Sequence, residues 1–182
     1  MPTPIGHMLA GAIIFKSQKK SVGLFLFLSV LLFALLPDID FLFGLIVGDA
    51  NRYHHLWTHS LAFTIVAGFL GGFFFAKWRC ESLLFSSAIF ISAGTSHVFL
   101  DCLALDKREP FGCPIWWPFS QKFIISPVPL FSDVSRVSDS HLFFESLLNM
   151  HNLRTVLIEI ALLVPILIFV WKINRTIKPR AR

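Results

Sequence analysis

Two groups of histidines and acids stand where long apolar stretches of this chain end. The first is Leu36-Pro37-Asp38-Ile39-Asp40, followed by His54-His55-Leu56-Trp57-Thr58-His59-Ser60; the second is Ser96-His97-Val98-Phe99-Leu100-Asp101. Neutral imidazole and carboxylate are the ligands that zinc-type divalent metals favour. His97 and Asp101 are four apart, so on a helix they share one face and form a two-ligand unit on a rigid element. Asp38 and Asp40 are two apart after a helix break, and both reach one centre only if the turn there is irregular. His55 and His59 would share a helical face, whereas His54 joins His59 only if it precedes the helix. His141 and Glu145 repeat the four-residue spacing, and His7 lies near the start of the chain. Taken singly, each group has a bland alternative. Asp38 suits a helix cap, His141 with Glu145 an exposed helix pair, and His7 or His151 an interfacial residue. Ionisable groups gathered at membrane depth are site candidates by default.

The elements that must position these groups are apolar helices. Of the 182 residues, 55% are hydrophobic, 21 are Phe, and only 15% are charged, against roughly 25% in an ordinary soluble domain. That balance excludes disorder and opposes a water-soluble globule, and the length suits one compact domain. Four stretches, roughly 21–36, 60–76, 83–100 and 155–171, read as spans; a span takes about 20 residues, so the first is marginal. Ile5 to Phe15 is too short to span and reads as a short helix packed on its neighbours through Gly6, Ala10 and Gly11. Pro37 is expected to end the first span, with Asp38 capping a short helix over Phe41–Val47 and Thr58 or Ser60 capping the second span. Residues 102–140 are rich in Pro and too long for an empty linker, so they should form an ordered cap, with Trp116, Trp117 and Phe119 at the membrane interface. Cys80, Cys102 and Cys113 form no ligand motif; they read as ordinary thiols, with a Cys102–Cys113 pair open in an oxidising compartment.

Charge orients the bundle. Lys16, Lys19 and Lys20 precede the first span, Lys77 and Arg79 separate the second from the third, and a basic tail from Lys172 to Arg182 follows the fourth. With alternating spans these clusters share one side and hold 10 of the 16 Lys and Arg, which the positive-inside rule assigns to the cytoplasm. Asp38, Asp40, His54, His59, His97 and Asp101 then converge on the non-cytoplasmic face. Basic residues that abut apolar stretches are membrane flanks rather than a nucleic-acid surface.

In this order, Leu36-Pro37-Asp38-Ile39-Asp40, His54-x-x-x-Thr58-His59-Ser60 and Ser96-His97-x-x-x-Asp101 resemble the YdjM-type (LexA-regulated) family of membrane-bound, metal-dependent hydrolases. Gly6-His7 and Pro114-Ile115-Trp116-Trp117-Pro118-Phe119 fit as well. The resemblance implies a divalent metal, zinc or similar and one ion or more, held by His7, Asp38, Asp40, His54, His59, His97 and Asp101, with Glu145 as an eighth. One departure stands out: the family has Arg after the first His of the second motif and this chain has His55, so the anion clamp that Arg would supply is not expected at that position, and Arg52 is the substitute nearby. A wider likeness is to zinc-dependent phospholipases C, whose H-x-x-x-D and H-x-x-x-E helices resemble His97/Asp101 and His141/Glu145.

The expectation is therefore an all-α, polytopic helical membrane protein: four transmembrane helices, a short N-terminal helix and a non-cytoplasmic cap, in an inner membrane. The expected function is hydrolysis of a phosphoester in a lipid or lipid-linked substrate, with Asp38 or Asp40 as the base. Lys107, Arg108, Lys122, Arg136 and Arg154 are all available to an anionic headgroup. A metal or ion transporter would place ligands near mid-membrane with a path to both sides, yet the first two expected spans hold no interior acid or histidine and Glu159 is the sole acid in the fourth. A structural metal that staples the bundle is the other alternative, and it would be coordinatively closed.

Overall fold

The computed structural model describes residues 1–18 and 23–177. Lys19, Lys20 and residues 178–182, counted above among the flanking charges, lie outside the described residues. Among those described, every regular element is helical: α1 (Pro4–Ser17), α2 (Leu24–Leu35), α3 (Asp40–Ile46), α4 (Leu61–Arg79), α5 (Leu83–Cys102), α6 (Phe143–Ser146) and α7 (Met150–Ile177). Among the described residues, four segments are long and apolar enough to cross a membrane: Leu24–Ile46, Leu61–Arg79, Leu83–Cys102 and Met150–Thr176. Their outward faces carry exposed Leu28, Leu32, Val66, Leu70, Phe74, Ile166 and Phe169, as expected of surfaces that meet lipid.

The first span departs from the sequence expectation. Pro37 does not stop it; a 3-10 turn over Leu36–Ile39 carries the chain directly from α2 into α3. Pro37 sits in the first turn of that element, where its missing N–H leaves no bond unmade. Asp38 makes no capping bond to α3, so its carboxylate stays available for other partners. The second span behaves as expected, with Ser60 Oγ accepting from the Phe63 amide at 3.1 Å to cap α4. Thr58 turns instead to Asp40.

Contacts define two ends of the bundle. At one, His7 near the start of α1 meets Asp101 near the end of α5. At the other, Asn174 of α7 donates to the Lys16 carbonyl of α1, and Phe25 of α2 packs edge-on against Trp78 of α4 with centroids 4.6 Å apart. Between the ends lies a buried apolar cluster that includes Phe15, Leu26, Val30, Phe75, Ile89 and Phe90, with Phe33 stacked on Phe90 at 4.3 Å.

Helices α4 and α5 pack at very close range. A Cβ added at Gly72 would stand 2.5 Å from Ser87 Cα, and one at Gly68 2.6 Å from the Ile91 nitrogen. These small residues four apart let the backbones touch, which is how helices associate where lipid removes the hydrophobic drive. Helix α1 is pinned by a buried acid: Glu159 of α7 accepts the Thr3 amide at 2.6 Å and the Thr3 hydroxyl. A carboxylate against the free amides of a helix start is favourable. It also fixes the level at which His7 enters the bundle.

Residues 102–140 form the ordered cap that their length suggests. Isolated bridges Ala104–Phe131 and Cys113–Ile124 tie it together, and Asp49–Asp139 ties it to the loop after α3. The open Cys102–Cys113 pairing is not made: both are free, buried thiols in one apolar cluster.

Candidate metal centre

Four donor atoms converge where α2, α4 and α5 end or begin. His97 Nε2 lies 3.2 Å from Asp101 Oδ2 and 3.5 Å from Asp38 Oδ1. His59 Nε2 lies 3.3 Å from Asp101 Oδ2 and 3.6 Å from Asp38 Oδ1. The two Nε2 atoms are 3.3 Å apart. Tetrahedral coordination with bonds of about 2.0–2.1 Å requires ligand-to-ligand edges of about 3.3–3.4 Å. Five of the six edges of such a tetrahedron therefore match; His59, His97 and Asp101 form one group close enough to share an ion, and Asp38 forms another with His97 and His7.

The local folding makes each of these atoms an acceptor. His97 Nδ1 is 2.7 Å from the Ala34 carbonyl, and a carbonyl only accepts, so the ring proton sits on Nδ1 and Nε2 is bare. His59 Nδ1 lies 3.2 Å from Asp40 Oδ2, which orients that ring in the same sense. Two bare nitrogens and two carboxylate oxygens facing one another repel unless a cation lies among them. Burial lowers the His59 pKa, but Asp101, Asp38 and Asp40 outweigh it and hold the imidazole well above its ordinary value. The surroundings thus favour a positive charge at this point, a proton or a metal ion. His59, His97 and Asp101 are fully buried, so bulk water does little to screen the demand. The donor set and its spacing fit a divalent metal.

Asp40, expected as a ligand or base, stands behind the imidazoles. Its Oδ2 takes the Thr58 hydroxyl at 2.8 Å as well as His59, and its Oδ1 takes His54 Nδ1 at 3.1 Å. Both oxygens are thus occupied, the arrangement of a carboxylate that orients metal-binding histidines. Asp38, Asp40 and His54 nevertheless lie close enough together to share an ion. His7 flanks the tetrad, stacked on His97 with centroids 3.6 Å apart and with Nε2 3.4 Å from Asp101 Oδ1.

His54 and His55 both face the site, so the choice posed by the sequence does not arise. His55 does not lie on a helix; its φ of 61° is in the left-handed region, which costs a non-glycine residue on the order of 1–3 kcal/mol. That conformation turns its ring inward. His55 Nδ1 is 3.2 Å from Asp106 Oδ2, and its Nε2 lies 3.8 Å from Asp101 Oδ2. The Nε2 atoms of His54 and His55 are buried without a hydrogen-bond partner. Burial, then the nearby charges of His55 and Arg136, keep His54 well below its ordinary pKa, and burial likewise lowers His55; both are neutral acceptors near pH 7. Burial opposes ionisation of Asp106, but His55 and the amides of Gly112 and Arg108 outweigh it and bring its pKa to about 2.

Glu145 is not brought to the centre. It is exposed on α6 and belongs to none of the metal-holding groups among the described residues. His141 is also exposed, and the His151 ring instead meets Asp133. The spacing of His141 and Glu145 suits a ligand pair only if one helix carries both, but α6 is four residues long and begins at Phe143, so His141 lies in the turn before it and both side chains are exposed.

A polar cavity of about 480 Å³ opens onto His54 and His55 and is lined also by Asp106, Arg52, Arg108 and Arg136. Arg52 is exposed and lies over the Tyr53 ring. Arg136 is nearly buried, its Nε donates to Asn51 Oδ1 at 2.6 Å, and its guanidinium lies over Phe41 at 5.1 Å. The sequence offers Arg136 as one of five basic residues available to an anion, and spacing does not single it out because the cap that delivers it is irregular. A second, apolar groove of about 350 Å³ runs along Phe43, Ile46, Val47 and Trp57 and reaches Asp40.

No curated protein and no solved structure matches the chain. The family model described as YdjM inner membrane protein matches residues 1–177. With its four apolar helices and buried histidine–carboxylate cluster, the chain belongs to the YdjM inner membrane protein family.

Proposed function

We propose that the protein is a metal-dependent hydrolase that cleaves a phosphoester of a lipid or lipid-linked substrate at the membrane surface. The observation that carries this reading is the convergence of bare donors beside an open polar cavity. Asp38, His59, His97 and Asp101 would hold a zinc-type ion, and His7, His54 and His55 add donors beyond what one four-coordinate ion uses. A purely structural site needs neither the surplus nor the cavity. A divalent ion held there supplies Lewis acidity and lowers the pKa of a bound water toward about 7.

The chain's own groups divide the remaining work. Asp40 and the Ala34 carbonyl hold the imidazoles of His59 and His97 in one tautomer. His54 is oriented by Asp40, lines the cavity and keeps a buried Nε2 without a hydrogen-bond partner, which favours it over Asp38 or Asp40 as the proton acceptor. The apolar groove that ends at Asp40 suits an acyl chain, which favours a lipid over a soluble substrate. The acidic end of the bundle faces away from the cytoplasm by the distribution of Lys and Arg.

The transporter alternative gains one feature, a 3-10 turn within the first span that carries Asp38. It is opposed by the apolar cluster around Phe33, Phe75 and Phe90 beneath the site, which holds no acid or histidine. Glu159 is occupied by the start of α1 rather than lining such a path.

Purified protein incubated with a panel of phospholipids and phosphodiesters should show turnover that a chelator abolishes and added zinc restores. Absence of chelator-sensitive turnover on every substrate would favour a structural metal. Arg79→Cys should resist a membrane-impermeant thiol reagent applied from outside; labelling from outside would reverse the orientation.

A further inference from the structure

Arg136 has the surroundings of a residue waiting for an anion. It is 9% exposed, and among the described residues no carboxylate lies within ion-pair distance of it. Only its Nε is engaged, by Asn51; the two terminal nitrogens of the fork make no hydrogen bond among the described residues. Asp38, Asp101 and Asp106 act on it only at longer range and the Phe41 ring lies beneath it; a buried charge is ordinarily paired by direct contact, so the missing partner calls for an explanation.

The position of this guanidinium is built rather than incidental. Asn51 is itself fixed by Ser138 at 2.9 Å. Arg108 holds the Arg136 carbonyl and reaches Ser138 Oγ at 3.3 Å. One residue earlier, Asn152 of α7 receives the Ser135 amide and donates to the Ser135 carbonyl, both at 2.7 Å. The ring on which Arg136 rests, Phe41, is also stacked on His54 with centroids 4.1 Å apart. A held guanidinium with free terminal nitrogens therefore shares one cavity wall with His54, whose own Nε2 is unpartnered.

The acids of that cavity do not fill the vacancy. Asp106 is engaged by His55 and by the amides of Arg108 and Gly112. Asp49 takes the Asn51 amide at 3.2 Å, and Glu109 is exposed at the rim. Guanidinium matches the geometry of phosphate and binds it through two parallel bonds.

We propose that Arg136 is the anion clamp of the site: its free guanidinium nitrogens bind the phosphate of the substrate in the cavity beside His54 and His55, with Arg108 holding Arg136 in place. This assignment rests on the reading of the site as a phosphoester hydrolase. The recognised group is a phosphate monoester or diester, from a lipid headgroup or from a soluble molecule.

The test uses zinc-loaded, full-length protein in nanodiscs of phosphatidylcholine, with inorganic phosphate as the probe in calorimetric titration and metal content measured in parallel. Wild type should bind phosphate. Arg136→Met should weaken binding by at least about tenfold, the loss expected for a charged hydrogen-bond donor, with zinc content unchanged. Arg136→Lys should recover part of the affinity, and Lys122→Met, which removes an exposed charge of the cap, should leave it unaltered. No binding by wild type, affinity within twofold in Arg136→Met, an equal loss in Lys122→Met, or loss of zinc in Arg136→Met would each overturn the clamp. Phosphatidic acid added to the nanodiscs should compete with inorganic phosphate if a lipid supplies the group; lack of competition assigns a soluble source, and either result upholds the clamp. Phosphate binding that needs Arg136 in a protein without turnover would retain the clamp and discard the hydrolase. Chelator-sensitive turnover unchanged in Arg136→Met would do the reverse.

Discussion

Replacing His97, Asp40 and Glu145 in turn should lower metal affinity in a graded way that follows the geometry rather than the spacing in the sequence. His97 supplies one corner of the donor tetrad, Asp40 stands behind His59 and His54, and Glu145 is exposed elsewhere. Zinc binding by structural sites is worth about 10–16 kcal/mol, so one ligand of four accounts for roughly 2.5–4 kcal/mol, or about 60- to 700-fold in affinity. His97→Ala should fall in that range. Asp40→Asn keeps the shape of the side chain but weakens the bonds that orient His59, and such outer partners typically contribute about 10- to 100-fold. Glu145→Gln should change affinity by less than about twofold, as surface substitutions do. The assay is competition against a chelating dye with detergent-purified protein, with monodispersity on gel filtration required of each variant. A loss in Glu145→Gln as large as that in His97→Ala would refute the reasoning. So would an Asp40→Asn loss that exceeds the His97→Ala loss.

Three further outcomes follow from packing and charge. Gly72→Ala gains about 1 kcal/mol of helix propensity but drives a methyl group against Ser87 backbone, and overpacking costs about 1–3 kcal/mol; thermal denaturation in detergent should show net destabilisation, and a raised midpoint would count against the close α4–α5 contact. Glu159→Leu strands the Thr3 amide and hydroxyl, at about 1–3 kcal/mol, whereas Glu159→Gln keeps an acceptor and should lose less; equal losses would show that Glu159 does not anchor α1. Because the folded-state pKa of Asp106 is lowered to about 2 from 3.8, its stabilisation is fully present above pH 4 and vanishes as pH falls through 2. Asp106→Asn should therefore melt earlier than wild type at neutral pH, with the gap closing in acid; a gap independent of pH would contradict the His55–Asp106 pairing.

The parts of this site that could be read without coordinates are those that local periodicity controls. His97 and Asp101 share a face because α5 is a regular helix, and Ser60 caps α4 because its spacing to the Phe63 amide is local. The apolar spans follow from composition, although Pro37 was misleading: a 3-10 turn accommodates it, and the first span runs on to Ile46. The remaining features depend on irregular backbone. His55 faces inward through a left-handed φ that no spacing rule anticipates. Asp40 retreats behind the imidazoles because Thr58, itself a plausible cap, bonds to it. Arg136 reaches His54 only through a cap without regular elements, held by Asn51, Arg108 and Asn152 side chains. Glu145 shows the converse, a correct spacing on a helix too short and too exposed to use it.

An anomalous-scattering map of crystals grown with zinc tests the central claim most directly. The account requires a peak enclosed by Asp38 Oδ1, His59 Nε2, His97 Nε2 and Asp101 Oδ2, at about 2.0–2.2 Å from each. A map with no peak among these four atoms, or with its strongest peak on His141 and Glu145, would contradict it.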